Sequence, residues 1–563
     1  MNVDEMQKNL SRKAELEPEH QFENLYSLLC NHVWLRAAHH SVNTNQGRET
    51  AGIDGESMMH FNGDIEGNLE TLREQLKAKV FEPMPVRRVY IPKANGKKRP
   101  LGIPTIRDRI VQEALRMILE PIWEADFSNR SYGFRPNRST YDAISYLSNR
   151  LTGNGGGKFQ WVIEGDIKSY FDEIPHRRLM KAVKRRVADR DIRDLLWKFL
   201  RAGVMAKGER QETLTGTPQG GIVSPLAANI YLHELDRYME SHYLNLSKNE
   251  REKRRRHGDA NFFYARYADD FVVLTNGTKA QALAMKEELK AVLDHMGLKL
   301  SEEKTKVTHI TEGFKFLGYW VIRAVGETGK MVPKVHIPED AMKRARHEMR
   351  RILGPQTTGD ALAAKIQALN SFIRGWCQYY RCTSSPAEKF RKLEYELFWD
   401  MTHWLGKKYK LSTPAVLRRF KKGEYFSNDA GTVKLIKPDL YKAKKRLVKA
   451  WHNPYTGTET IERERPFSYE RLWDGRYGDD WTWYDVREEV IRTKGTVCAI
   501  QGPECISRGT PLEPSEIEID HIIPRWKLKD SKEVNRRENL QPVCTPCHRA
   551  KTKSDRKVLS RMP

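Results

Sequence analysis

Three aspartates stand where a folded core ordinarily excludes charge. Asp166 closes the apolar run Trp161-Val-Ile-Glu-Gly-Asp166, and Asp269 and Asp270 sit between two β-prone runs within residues 263–274. The pattern predicts a strand ending at Asp166 and a hairpin with the Asp269–Asp270 pair at its tip. Carboxylates gathered at strand ends repel one another unless cations neutralise them. Hard oxygen ligands with retained water suit Mg²⁺. Two such ions about 4 Å apart activate a 3′-hydroxyl and stabilise a leaving pyrophosphate. An Asp-Asp pair is also ordinary in a hairpin turn, and on either segment alone that plainer reading competes.

A second set of ligands lies near the C-terminus. Cys498-x6-Cys505 and Cys544-x2-Cys547 supply four soft ligands in two pairs, as a structural Zn²⁺ site requires, the first pair with a longer gap than usual. Between and after them run Glu518-Ile-Asp-His-Ile-Ile-Pro524, Asn539 and His548. Cys30, Cys377 and Cys382 are isolated and read as buried hydrophobes. Seven cysteines, an odd number in a long chain, do not read as a secreted disulfide framework, so a reducing, cytosolic compartment is expected. The acid-rich first 20 residues contain no apolar stretch of the kind a secretory leader needs.

The elements that must position these groups are partly legible. From Val86 to about Gly318, strand-like and helix-like runs alternate irregularly, which predicts α+β rather than repeated βαβ units. Residues 87–92 and 99–104 flank Asn95-Gly96 and read as strand, turn, strand. A helix should follow from about Ile106, with Ile110, Ala114, Met117 and Ile118 on its apolar side. The first 80 residues read as helical and polar, and the charged stretch 240–260 as a solvated insertion. From about 338 to 406 the pattern is helical, with Ile366, Leu369, Ile373, Trp376 and Tyr380 marking one buried face.

Charge names a class of partner. The chain has 98 Lys and Arg against 74 Asp and Glu, a net +24, and no apolar run near the roughly 18 residues of a membrane span. A polyanion is the expected ligand and a membrane is not. Residues 401–460 alone hold 14 basic against four acidic residues, interleaved with aromatics, a composition suited to nucleic acid. The Trp- and Asp-rich stretch 473–484 marks a boundary.

Taken together the motifs outweigh the plain readings. Asp166-x4-Phe171, Thr217-Pro-Gln-Gly-Gly221 and Tyr267-Ala-Asp-Asp270 occur in the order of a reverse transcriptase palm. With residues 99–104, 131–136, 218–230, 300–305 and 316–319, and 369–380 beyond them, the chain resembles a group II intron-encoded protein over nearly its whole length. The resemblance implies that Asp166 and Asp269 hold two Mg²⁺ ions with Asp270 beside them. It implies that Phe171 excludes a ribose 2′-hydroxyl, that Lys93 and Arg99 contact the triphosphate of a dNTP, that Gln219 sits by nucleotide and template, and that Lys304 protonates pyrophosphate. The C-terminal residues resemble an HNH, or ββα-metal, nuclease. There His521 is the implied general base, Asp520 and His548 the ligands of one Mg²⁺, and Asn539 the residue that fixes the loop carrying His521.

The implied architecture is an α+β multidomain chain. Right-hand polymerase fingers and palm occupy 1–325, an α-helical thumb or maturase domain 326–405, a basic DNA-binding segment 406–490, and a zinc-containing HNH module 491–563. The implied function is that of a bacterial cytoplasmic ribonucleoprotein. Bound to its intron RNA, it assists splicing, cuts the second strand of a target DNA duplex and copies the RNA into cDNA. Two alternatives are a splicing-only maturase and a defence- or diversity-associated reverse transcriptase.

Overall fold

The computed structural model describes residues 2–45, 47–92, 96, 98–152, 159–206, 209–211, 215–217, 220–326, 329–443, 453–456, 490–491, 493–512, 516–524 and 537–559. Lys93, Gln219, the stretch 473–484 and most of the basic run after 443 lie outside the described residues. The chain divides into two compact units. One is Met1–Met342 with Cys382–Pro386 and Ala443–Glu459; the other is Lys343–Arg381 with Ala387–Lys442 and Thr460–Pro563.

In the first unit the helix Ile106–Glu124 is the hub, buried along almost its whole length. Thr105 caps it, its hydroxyl accepting from the Asp108 N–H at 3.1 Å. Pro121 inside the helix cannot donate to the Met117 carbonyl, and Gln7 Nε2 supplies that bond at 2.8 Å. The helices Val3–Leu16, His32–Asn43 and Ile65–Lys77 are polar on their outer sides. Leu10, Ala14, Trp34, Leu35, Leu69 and Leu72 bury their inner faces in the same core.

Two small sheets follow. Strands β1 (Val86–Pro92) and β2 (Lys98–Ile103) form the expected hairpin, in register from Arg87–Ile103 to Pro92–Lys98. Strand β3 (Trp161–Asp166) belongs to the second sheet, while β4 (Val204–Ala206) and β5 (Glu209–Gln211) complete the first in the order β2-β1-β4-β5. Strands β6 (Phe262–Tyr267), β7 (Asp270–Thr275) and β8 (Lys306–His309) join β3 in an antiparallel sheet of order β6-β7-β3-β8. Ile163, Tyr264, Phe271 and Val273 share its core with Ile230 and Leu235 of the helix Ser224–Met239 and Leu289 of the helix Lys279–His295. The charged insertion contains a helix, Lys248–Arg256, that buries none of its residues.

The second unit is helical over Leu362–Tyr380 and Pro386–Tyr409, the latter crossing the expected limit at 405. The buried stripe of Leu362–Tyr380 runs through Ile366, Leu369, Ile373, Cys377 and Tyr380. Trp376 is only half-buried, a correction to the expected face: after Ile373 a step of four, not three, returns to the core side. Of the three isolated cysteines Cys377 is therefore buried, while Cys30 and Cys382 are partly exposed. Asn370, buried on that face, donates to the Lys434 carbonyl and accepts from the Ile436 N–H, both at 2.8 Å. Further on, the strand Ile517–His521 pairs antiparallel with Leu540–Cys544, and the helix Thr545–Leu559 follows at once.

Candidate active sites

The register of the second sheet brings the aspartates together. Asp166, last in β3, pairs with Asp270, first in β7, and Asp269 occupies the turn between β6 and β7. Gly165 must lack a side chain, since a Cβ there would lie 2.1 Å from the Phe271 ring. Burial first, with the charge of Asp166 adding to it, raises the Asp269 carboxyl above its ordinary range. Asp270 opens to solvent, yet partial loss of water, and then the charges of Asp269 and Asp166, push it up to about 7. Three carboxylates gathered in this way, with Asp269 and Asp270 both pushed upward, fit divalent cations. Lys304 stands on one of them: its ammonium donates to Asp166 Oδ2 at 2.8 Å and Oδ1 at 3.0 Å. The Ser301 N–H donates to the Asp166 carbonyl at 2.8 Å and so seats the turn that carries Lys304.

Of the other expected residues the structure describes Phe171 and Arg99. Phe171 lies on the short helix Tyr170–Glu173, and its carbonyl accepts from the Thr217 N–H at 2.6 Å, tying it to the loop that leads to Gln219. Arg99 on β2 lies close enough for its charge to lower the carboxyl of Asp269. Lys93 and Gln219 are outside the described residues.

In the C-terminal module Asp520 and His521 end the first strand, and His548 lies on the following helix. His548 Nε2 is 3.6 Å from Asp520 Oδ1, a spacing at which both can face one cation. Asn539 bridges the loop after His521, accepting from the Ile523 N–H at 2.7 Å and donating to the Ile523 carbonyl at 3.1 Å. The thiols of Cys498, Cys505, Cys544 and Cys547 are buried and all lie within 4.8 Å of one another, Cys505 and Cys544 at 3.8 Å. Four bonds of about 2.3 Å at tetrahedral angles place sulfurs about 3.8 Å apart, so the cluster fits a soft tetrahedral metal. The Gly502 N–H donates to Cys547 Sγ at 3.3 Å.

Residues 91–321 match the family described as reverse transcriptase (RNA-dependent DNA polymerase), 342–425 the group II intron maturase-specific domain, and 503–554 the HNH endonuclease. Protein YkfC of Escherichia coli (strain K12) is 42% identical over 60% of this chain and 93% of its own length. Group II intron-encoded protein LtrA of Lactococcus lactis subsp. cremoris is 29% identical, covering 96% of this chain and 97% of that protein. The chain belongs to the group II intron-encoded protein family.

As a group II intron-encoded protein it is multifunctional. It joins an RNA-directed DNA polymerase to a maturase-specific domain and an HNH endonuclease, and it acts on nucleic acid, intron RNA included. Among the described residues no helix is long and apolar enough to cross a membrane.

Three side chains of this group II intron-encoded protein, Arg266, Glu518 and Lys551, escape a reading of motifs. Arg266, fully buried, donates to both oxygens of Asp236 (Nε at 2.8 Å, Nη2 at 2.5 Å), to Asn229 Oδ1 at 3.1 Å and to the Ala268 carbonyl at 2.9 Å. Ala268 is at φ 55°, in the left-handed region, and Arg266 thus pins the strained residue just before Asp269. Glu518 accepts from Thr545 Oγ1 at 3.0 Å and holds His548 Nδ1, leaving Nε2 turned to Asp520. Lys551 forms an ion pair with Asp520 Oδ2 at 2.9 Å and donates to the His521 carbonyl at 2.7 Å. The only signals in the sequence are spacings: Glu518 is two before Asp520 on a strand, and Lys551 three after His548 on a helix.

Proposed function

We propose that this protein binds its own intron RNA, helps it fold and splice, and stays on it as a ribonucleoprotein in a bacterial cytoplasm. After the RNA reverse-splices into one strand of a target DNA duplex, the HNH module cuts the other, and the polymerase extends the cleaved 3′ end with dNTPs. The observation that carries this reading is the register that sets Asp166 against Asp270 beside the Asp269 turn. In this reading residues 1–325 form fingers and palm, 326–405 the thumb, 406–490 a DNA-binding segment and 491–563 the nuclease.

Asp166, Asp269 and Asp270 are the residues to hold two Mg²⁺ ions, and bound Mg²⁺ supplies Lewis acidity to the attacking hydroxyl and the departing pyrophosphate. Phe171 rejects the 2′-hydroxyl, Arg99 and Lys93 hold the triphosphate, and Gln219 lies by nucleotide and template. Lys304, once it leaves Asp166, carries a proton to the pyrophosphate oxygen. In the nuclease His521 takes the proton of the attacking water, and Asp520 and His548 hold the single Mg²⁺. Asn539 keeps the loop after His521 in place, and Cys498, Cys505, Cys544 and Cys547 hold a structural Zn²⁺.

The test combines purified protein, its intron RNA and the target duplex. Asp269→Ala should abolish cDNA and spare second-strand cleavage. His521→Ala should spare extension of an annealed primer and abolish the cut. Loss of both activities in either variant would show the two-site assignment to be wrong.

A further inference from the structure

Phe134 combines two features that folding by itself disfavours. Its φ is 57°, in the left-handed region that bulky side chains avoid, and it is 51% exposed, so the strain is not offset by burial. Its neighbours impose that conformation. Gly133 lies against the aspartate turn so closely that a Cβ would come within 2.4 Å of the Ala268 nitrogen. The Gly133 carbonyl accepts from Asn229 Nδ2 at 2.8 Å. On the other side Arg135 is buried in an ion pair with Glu124 at 2.8 Å, and it also donates to the Ser128 and Ser131 carbonyls at 2.6 and 2.9 Å. Pinned on both flanks, the backbone presents the Phe134 ring outward, where it meets the Phe171 ring edge-to-face at 6.1 Å and 87°.

We propose that Phe134 is a positioning residue for the nucleotide sugar: it braces Phe171 so that a 2′-hydroxyl has no room, and the two rings act as one selective wall. The inference rests on the reading of Phe171 as the residue that excludes ribonucleotides. An edge-to-face pair fixes the angle of the Phe171 ring as well as its place, which a single ring on a four-residue helix does not ensure. The strain at Phe134 is held by the same loop that touches the Asp269 turn, so the wall keeps its place relative to the aspartates.

The test is the ratio of kcat/KM for a dNTP over the matching rNTP, measured with the full-length protein on a primed RNA template. Phe171→Ala should lower the ratio by about tenfold or more, the order at which an apolar site rejects an added hydroxyl. Phe134→Ala should lower it by about three- to tenfold, the worth of one aromatic pair. The double variant should fall no further than Phe171→Ala alone, because Phe134 acts through Phe171. Phe134→Gly relieves the positive φ and so guards against misfolding: it should match or exceed the wild type in thermal midpoint and still lose selectivity. Phe134→Tyr should restore it. If Phe171→Ala relaxes selection and Phe134→Ala and Phe134→Gly leave it unchanged, or if the double variant is additive, the bracing role is overturned. If Phe171→Ala itself changes nothing, the reading of Phe171 falls.

Discussion

Arg266 and Asp236 form a fully buried pair beneath the aspartate turn, and the energetics of such a pair are asymmetric. Removing one partner leaves an uncompensated charge in the core and costs about 3–5 kcal/mol, whereas replacing both by apolar residues of similar volume is close to neutral. Arg266→Met should therefore lower urea stability by about that amount. Arg266→Met with Asp236→Leu should regain most of it but still extend primers poorly, because the bond to the Ala268 carbonyl is gone. Full extension by the double variant would limit Arg266 to a role in folding. Asp108 offers a test in pH. It is buried under the β1–β2 hairpin's approach, accepts from the Met84 N–H at 3.1 Å, and burial pushes its carboxyl up to about 7. The folded state thus binds the proton more tightly than the unfolded one, whose carboxyl titrates near 4. The stability this contributes is complete below about pH 4 and declines as pH rises through about 7. Relative to the wild type, Asp108→Asn should gain urea stability steadily across that window and stay level above it; a flat difference would refute the assignment.

At the scale of elements, the nuclease module shows how little apolar core can hold a fold. Among the described residues its apolar core is Ile517, Ile519 and Leu540 in one cluster, joined by Val490 from just before the module, and Val543 with the four thiols in another. A module of that size needs a staple, and metal binding at four thiolates supplies folding energy directly. If the four thiols hold Zn²⁺ as proposed, stripping the metal with a chelator, or Cys544→Ser, should erase amide-exchange protection over the strands Ile517–His521 and Leu540–Cys544 and abolish DNA cleavage. Primer extension should persist. Retained protection after complete metal removal would mean that the strands and helix suffice without it. The aspartate sheet needs no such staple, because its strands pack on long helices in a large common core. Strand ends, the β1–β2 hairpin and the helix from Ile106 were legible, since each is written in local alternation or in a 3.6-residue period.

For the whole molecule the net charge of +24 bears on affinity more than on fold. If the complex with intron RNA neutralises about 6–10 phosphates, its affinity should fall by about 10³–10⁵ between 50 and 200 mM salt. Filter binding across that range measures the slope, and a shallow slope would assign recognition mainly to uncharged contacts. Part of the stretch expected to bind DNA is engaged elsewhere: Asn453 donates to Ser11 at 2.7 Å, Tyr455 to Glu120 at 2.6 Å and Thr456 to Glu15 at 2.8 Å, all on the first unit. By itself the amino-acid order determined the family, the aspartate and thiol groups and the elements that carry them, because chemistry-bearing residues at strand ends and helix faces announce themselves over a few neighbours. Only the tertiary structure decided that Lys304 stands on Asp166 from 138 positions away, that Arg266 finds Asp236, that Glu518 turns His548, and that Phe134 is forced outward beside Phe171. Those pairings follow from strand register and from the exclusion of unpaired charge in a packed interior, and neither is encoded in local spacing.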